Sequence, residues 1–263
     1  MKKFLAFISL LIISLLFLSS CERSYEIINL TNQYDIFDTI NLNVKSGTLT
    51  IDIDSNLNKD KFSVFSKYGL SETSNGDTFD LKSTANNNEI KIMFNCENII
   101  NNLNISGDNY TLNVKNIKCN NMVVDGKLIS ASNFENNQIE KLEMKFTFSY
   151  YLNLNENVID NININYQTTN SQLYQNNQFK KFNIEGYKSP ITFTTNSFEL
   201  AHINQTMGRI RGSFKKTNGY TLVNACAKQS STVDLKLKDN VYGNGESKID
   251  FTSLDGDILL WLV

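Results

Sequence analysis

Three charged residues at intervals of 20 positions could carry out acid–base chemistry. Glu140, Asp160 and Lys180 follow one another at that spacing, and enzymes that cleave polysaccharides use paired carboxylates with a nearby cation. A solvated ladder of charges, in which opposite neighbours offset one another, has the same spacing. We favour the ladder, because no other acidic residue joins the set. The sequence therefore predicts no catalytic residues and a non-enzymatic protein.

His202 is the single histidine, so any Ser-His-Asp or Cys-His site would have to use it. No Gly-x-Ser-x-Gly elbow occurs in the sequence. His202 falls where an aliphatic column of the repeat described below should continue. We interpret it as a polar interruption at which that column changes register.

Three cysteines, Cys96, Cys119 and Cys226, follow Cys21. They form no Cys-x-x-Cys or Cys/His spacing, so we predict neither a metal site nor a cofactor. The separation between Cys96 and Cys119 is close to the length of one repeat. If they lie on adjacent coils, a disulfide between them is geometrically reasonable.

Two groups of residues are candidates for recognition. Arg209, Arg211, Lys215 and Lys216 form a basic cluster among glycines, which could bind an anionic glycan, a lipid head group or a partner protein. Surface charge without a function is the alternative. Exposed tyrosines could stack on sugar rings or instead pack at corners of the fold: Tyr150, Tyr151, Tyr166 and Tyr187. The formal net charge of -2 gives no electrostatic reason to expect nucleic acid as a partner.

The leader that precedes Cys21 has the parts of an export signal. Lys2 and Lys3 precede an uncharged apolar run that is too short to span a membrane as a helix. The run ends in Leu-Ser-Ser-Cys at Cys21, which resembles the lipobox of bacterial lipoproteins. That resemblance implies cleavage before Cys21 and a lipid on its sulfur, so the membrane is an expected partner. Glu22, rather than Asp, follows the anchor and favours the outer membrane.

Beyond the leader, alternating apolar residues predict strands. Examples are Ile40-x-Leu42-x-Val44 and Val233-x-Leu235-x-Leu237, and no sustained helical period occurs. Asn75-Gly76 is typical of a type I′ hairpin turn. The mature chain is therefore predicted to be all-β.

An internal repeat of about 20 residues sharpens this prediction. Inward apolar residues recur with a step of 19 and then steps of 20, at Leu103, Met122, Leu142, Ile162 and Phe182. A period near 20 with short strands is typical of a β-solenoid, such as a right-handed parallel β-helix. Asparagine is about one residue in seven, and Asn137, Asn157 and Asn177 keep the same period. Because an amide both donates and accepts, these three are predicted to form a structural ladder at a turn.

The repeat suggests four divisions of the chain. We expect a signal peptide over 1–20, N-terminal strands with a hairpin as a cap over 21–95, solenoid coils over 96–204, and capping strands over 205–263. The added strands would cover the exposed edges of the end coils.

The start of the mature domain carries a family resemblance. Residues 36–44 and 46–51, which read IFDTINLNV and SGTLTI, resemble the opening of adhesin domains of bacterial envelope proteins, including the auto-transporter adhesin head, or GIN, domain. The resemblance implies a β-solenoid behind a lipoprotein signal with an adhesin-like binding or structural role, and a glycan or an envelope or host protein as partner. A glycan-active β-helix enzyme and an envelope assembly lipoprotein are the alternatives.

Overall fold

The computed structural model describes residues 30–215, 219–228, 230–235 and 237–263. Cys21 with its leader, and Lys216 of the basic cluster, lie outside the described residues. The described residues form strands and turns without a helix, so the all-β prediction is confirmed. In these same ranges, no helix has the length and apolar character needed to cross a membrane.

The described residues form 19 strands in one hydrogen-bonded sheet. In chain order they are β1 (Leu30–Asp35), β2 (Thr39–Ile53), β3 (Lys61–Ser66), β4 (Ser71–Asn75), β5 (Thr78–Ser83), β6 (Asn88–Phe94), β7 (Ile99–Lys115), β8 (Lys118–Glu135), β9 (Gln138–Asn155), β10 (Val158–Gln175), β11 (Gln178–Lys188), β12 (Ile191–Thr194), β13 (Ser197–Met207), β14 (Ile210–Phe214), β15 (Tyr220–Ala227), β16 (Ser230–Asp234), β17 (Val241–Tyr242), β18 (Ser247–Asp255) and β19 (Asp257–Leu262).

The middle of the sheet consists of long parallel strands in chain order. Leu142 on β9 lies opposite Met122 on β8 and Ile162 on β10, so the register advances by one repeat per strand. Two residues join each of these strands to the next. Strand β9 is 18 residues long, yet its parallel neighbour β10 begins only two residues after it ends. A straight strand would leave the chain at the far end of the sheet, so β9 must bend back on itself. The chain therefore returns to a neighbouring position once in every repeat.

Columns of apolar side chains fill the interior, because alternate residues of a strand point to the same side. The predicted column is in register, and each member is at most 4% exposed: Leu103, Met122, Leu142, Ile162 and Phe182. Full burial of one such side chain contributes about 1.5–3 kcal/mol. The repeated columns therefore hold neighbouring strands together.

The two ends of the stack depart from chain order. Strand β2 lies between β7 on one side and β5 and β6 on the other. Strands β18 and β19 lie between the pair β13–β14 and the pair β15–β16. At the N-terminal end, β4 and β3 run antiparallel along β5 and β6, and β1 runs along β3. These added strands cover the outer edge of β5 and β6.

The predicted hairpin is present, but its turn differs in type. Asn75 pairs with Thr78 across β4 and β5, so Gly76 and Asp77 are the two central residues. Only Gly76 of these two has a positive φ, at 57°. Glycine at the first central position is typical of a type II′ turn. The type I′ prediction was wrong because Asn75 already belongs to the ladder of the strand.

Candidate binding surface

One bend of the long strands is built on a buried ladder of asparagine amides. Nδ2 of Asn137 donates to Oδ1 of Asn157 at 2.8 Å, and Nδ2 of Asn157 donates to Oδ1 of Asn177 at 2.9 Å. Asn196 extends the ladder, since its Oδ1 accepts from Nδ2 of Asn177 at 2.8 Å. All four side chains are buried. The three residues chosen from the sequence are thus brought together in a structural element.

Each amide of the ladder also holds backbone groups. Oδ1 of Asn157 accepts from the backbone N–H of Asn137 at 3.0 Å, and its Nδ2 donates to the carbonyl of Phe134 at 3.0 Å. The same contacts recur one strand later with Asn177 and Leu154. Because buried polar groups need partners, asparagine is favoured here from Asn137 onward, whereas Ile117 occupies the equivalent buried position one repeat earlier.

A second bend of the same strands contains one extra residue. Between β7 and β8 the register shifts, with Tyr110 opposite Ile129 but Thr111 opposite Ala131, so Ser130 is inserted. Strand β9 keeps this insertion without a further shift, and Tyr150 occupies it.

The insertion ends after β10. Thr168 lies opposite Lys188, a step of 20, but Gln172 lies opposite Ile191, a step of 19. Asn170 therefore has no counterpart on the following strand. We call Ser130, Tyr150 and Asn170 the corner bulge. Bulges of this kind re-aim side chains and are over-represented near functional sites.

Three aromatic residues of β9 lie at this bulge, and we call Phe148, Tyr150 and Tyr151 the aromatic ridge. Tyr150 is 46% and Tyr151 is 59% exposed. The rings of Phe148 and Tyr150 meet edge to face with centroids 4.9 Å apart. The usual alternation of buried and exposed residues breaks here, because the bulge turns two consecutive tyrosines outward.

The neighbours of the ridge are mostly small or polar. In a parallel stack, side chains in register contact one another across about 4.8 Å. Tyr151 lies between Ala131 on β8 and Ser171 on β10. These side chains are too short to cover an aromatic ring, which is consistent with the 59% exposure of Tyr151.

Buried hydroxyls hold the backbone beneath the ridge. The Ser149 hydroxyl donates to the carbonyl of Tyr151 at 3.2 Å, and the Thr169 hydroxyl donates to the carbonyl of Ser171 at 3.1 Å. Ser149 and Thr169 are each 1% exposed. The ridge therefore rests on a bend whose geometry is fixed from inside, as a preorganised binding surface requires.

The other two candidate tyrosines behave differently from each other. Tyr166 is buried, stacks on Phe146 with centroids 6.0 Å apart, and donates its hydroxyl proton to Oε1 of Gln205 at 2.9 Å. Burial raises the pKa of Tyr166. Gly186 makes room for this ring, since a Cβ there would lie 2.2 Å from it. The sugar-stacking hypothesis is wrong for Tyr166, whereas Tyr187 is 52% exposed on β11.

The basic cluster is partly engaged. Arg209 forms an ion pair with Asp257, with Nη2 and Oδ2 3.2 Å apart. The Ser230 hydroxyl and then Arg209 hold the pKa of the Asp257 carboxyl below its usual value. Arg211 is exposed on β14, and Lys215 follows the end of that strand. A ligand for these cations remains a prediction.

The charged column has the contacts of a charge ladder, but the expectation that no other acidic residue joins it was wrong, because Glu199 lies opposite Lys180. Lys180 pairs with Asp160, and this carboxylate, followed by the nearby Glu199 and Glu140, raises the pKa of the lysine. The Asp160 carboxylate is thus engaged by a neighbouring strand. Across the described ranges, no group of three or more His, Cys, Asp and Glu residues could hold a metal ion.

His202 lies outside the column in which the sequence placed it. Ala201 lies opposite Phe182, and His202 lies opposite Asn183 on the outer side. The repeat is shorter by a single position here, so the inward column continues through Ala201. The imidazole Nδ1 of His202 is 2.9 Å from Oδ2 of Asp250 on β18. His202 therefore does not interrupt the core column, although the register does change at this point, from steps of 20 to a step of 19.

The three cysteines of the described region are free. Cys119 lies opposite Ile100 and Ile139 on the adjacent strands, so Cys96 is not its neighbour in the stack. The disulfide hypothesis is therefore not supported. Desolvation raises the pKa of the buried Cys119 thiol to about 12, which makes it a poor nucleophile.

Sequence reasoning missed the corner bulge and Phe148. The signal is present in the spacing of inward residues. Nine positions lead from Ile105 to Val114, whereas ten lead from Val124 to Phe134. The additional position marks the inserted residue in the repeats that carry it.

Comparison with known proteins gives distant likenesses. No protein-family model and no curated protein matches the chain. Among solved structures it is similar to a "putative lipid binding protein" from Parabacteroides distasonis ATCC 8503, at 14% identity and a TM-score of 0.47, over 89% of this chain and 96% of that one. It is also similar to a "putative cell adhesion protein" from Clostridium sporogenes ATCC 15579, at 11% identity and a TM-score of 0.30, over 90% and 100%. Likenesses at this level carry no argument about function.

Proposed function

We propose that this chain is a lipid-anchored envelope protein with a non-enzymatic, adhesin-like role, in which the aromatic ridge contacts the partner. The carrying observation is the ridge itself, with Tyr150 and Tyr151 about half exposed on a bend fixed by buried hydrogen bonds. We further propose that the parallel strands wind as a right-handed β-solenoid. The constant register from strand to strand and the short connections support this description.

Exposed aromatic side chains favour recognition over a purely structural role. Aromatic rings bury large areas at interfaces and lose little conformational entropy, which is why they are enriched among residues that dominate binding energy. The fold does not require aromatic residues at this bend, because Ser130 and Asn170 occupy the equivalent of Tyr150 on the adjacent strands. Their presence on β9 alone is accounted for by an external contact.

Anchoring follows from the leader. Cys21 would carry the lipid, and the outer membrane is the proposed location, because Glu22 follows the anchor. Several acyl chains bind a bilayer far more firmly than one, at about 0.8 kcal/mol per buried methylene.

The anchor is tested by growing cells with a labelled fatty acid. We expect the label on the wild-type protein, and we expect it to be absent from Cys21→Ser. Protease treatment of intact cells then tests whether the domain is exposed on the cell surface. An unlabelled wild-type protein would contradict the anchor, and full protection of the domain would favour the assembly role.

The ridge is tested by attachment of intact cells to host tissue or matrix. We expect a Tyr150→Ser/Tyr151→Ser double variant to attach as weakly as a deletion strain at equal surface abundance. Tyr187→Ser is the matched control, since Tyr187 is similarly exposed and lies on β11, two strands from the ridge. Undiminished attachment of the double variant would contradict the proposed function.

A further inference from the structure

We propose that the aromatic ridge closes one end of a groove that binds a neutral, linear polysaccharide lying across the strands. This inference rests on the proposed function, because it takes the ridge as the contact surface, and it adds the chemical class of the ligand. The groove runs from the ridge over β8, β7 and β2 to the start of β6. Its lining includes Ser46, Thr48, Asn87, Asn109, Thr111 and Ser130.

The groove and the ridge are continuous. Thr48 lies opposite Thr111, Thr111 opposite Ala131, and Ala131 opposite Tyr151. Ser130 of the corner bulge belongs to the groove, and Tyr150 follows it on the next strand. A ligand that leaves the ridge toward β8 therefore enters the groove directly.

The lining suits sugar hydroxyls, because most of its side chains are hydroxyls and amides that both donate and accept hydrogen bonds. The Ser130 hydroxyl donates to Oδ1 of Asn109 at 3.2 Å. Nδ2 of Asn109 makes no hydrogen bond with any described residue, and this side chain is exposed. Asn109 can therefore donate to a ligand while Ser130 holds it in place.

The ridge supplies the second element of sugar recognition. The apolar face of a sugar ring packs against an aromatic face, and the small Ala131 leaves space for one ring beside Tyr151. Adjacent strands lie about 4.8 Å apart, which is close to the length of one residue in an extended polysaccharide. Successive sugars of a linear chain would therefore meet successive strands of the groove.

The charges at the groove favour a neutral chain. Its charged lining residues are Lys67 and Glu89, which have opposite signs. Glu89 is also paired with Lys91 at 2.8 Å, and this lysine lowers the pKa of the Glu89 carboxyl. With Lys91 counted, the local charge is a single positive unit, so the groove has no cluster of cations that would select an acidic polysaccharide.

Affinity electrophoresis of the full-length lipoprotein in detergent tests the inference. The gels contain a neutral β-glucan, mannan, xylan or, as the acidic probe, alginate. We expect at least one neutral polysaccharide to retard the protein and alginate not to do so. Loss of one aromatic contact in Tyr151→Ala should weaken binding about tenfold. Asn109→Ala should weaken binding several-fold, and Tyr187→Ala should leave it unchanged.

The outcomes separate this inference from the proposed function. If no neutral polysaccharide retards the protein, if alginate retards it as strongly, or if Tyr151→Ala and Asn109→Ala both bind as wild type, the inference is overturned. Ridge-dependent attachment of cells with no retardation would leave the proposed function standing and refute the glycan. Circular dichroism of each variant before the gels excludes unfolding as the cause of lost binding.

Discussion

The two bends of the long strands differ in how strictly their side chains are repeated. At the bend that contains Asn137, Asn157 and Asn177, these successive repeats place the same side chain in the same buried position. At the corner bulge, the equivalent positions hold Ser130, Tyr150 and Asn170. Both bends belong to the same strands, so the chain length between them is nearly constant.

This difference separates side chains that the fold requires, at the asparagine bend, from side chains that can vary, at the exposed corner bulge. A buried amide must satisfy backbone groups on its neighbouring strands, and substitution leaves those groups without partners. An exposed side chain at the corner bulge can be replaced without leaving buried backbone groups unpaired. Repetition of asparagine thus identifies the structural bend. Aromatic residues that occur at the corner bulge on β9 alone identify the other bend as the candidate binding surface.

Deletion of whole and half repeats is expected to have the largest effect. Removal of residues 138–157 excises one full period and lets Asn137 meet Asn177, so we expect a folded protein with cooperative thermal unfolding and no aromatic ridge. Removal of 138–146, an odd number of residues, instead brings Tyr151 and Asn153 to the inward positions of Leu142 and Met144. We expect that shorter deletion to abolish cooperative unfolding. Equal unfolding behaviour of the two deletions would contradict the register of the repeat.

Asn157→Ala should come next in size. The substitution leaves the backbone N–H of Asn137 and the carbonyl of Phe134 without the partners they have now. Each unsatisfied buried group costs about 1–3 kcal/mol, so we expect chemical denaturation to show a loss of several kcal/mol. Asn170→Ala is the matched control and should stay within about 0.5 kcal/mol. Similar losses in the two variants would remove the distinction between the bends.

Glu156→Asn should give a smaller, opposite change. The residue before each ladder asparagine has a positive φ, 54° at Asn136 and at Asn176 and 57° at Glu156. Left-handed backbone costs most side chains about 1–2 kcal/mol, and asparagine tolerates it better. We expect Glu156→Asn to raise the free energy of unfolding by up to about 1 kcal/mol. The reverse change, Asn136→Glu, should lower it by a similar amount, and a stabilised Asn136→Glu would refute this explanation.

Much of the fold could be predicted from the residues alone. Leu142 and its counterparts recur with the period of the stack, and period-two alternation around them places apolar side chains on one side of each strand. The ladder residues Asn137, Asn157 and Asn177 share that period. These features are local or strictly repetitive, so the spacing in the sequence carries them.

The candidate site was only partly predictable. Tyr150, Tyr151 and Tyr166 have the same chemistry in the sequence, yet the first two are exposed and the third is buried. The outcome depends on the inserted residue at the corner bulge, which breaks alternation and turns consecutive tyrosines outward. Phe148 became part of the site because the bulge brings its ring against Tyr150.

The sequence by itself determined an all-β chain, the period of its repeat and the asparagines of one bend, because each depends on spacing along the chain. Only the tertiary structure decided that β2 lies between β7 and β5–β6, that His202 faces outward toward Asp250, and that the ridge stands free. Those outcomes depend on backbone hydrogen bonds between segments far apart in sequence and on where the register gains or loses a residue. A one-residue change in register reverses the side of the strand on which a side chain lies.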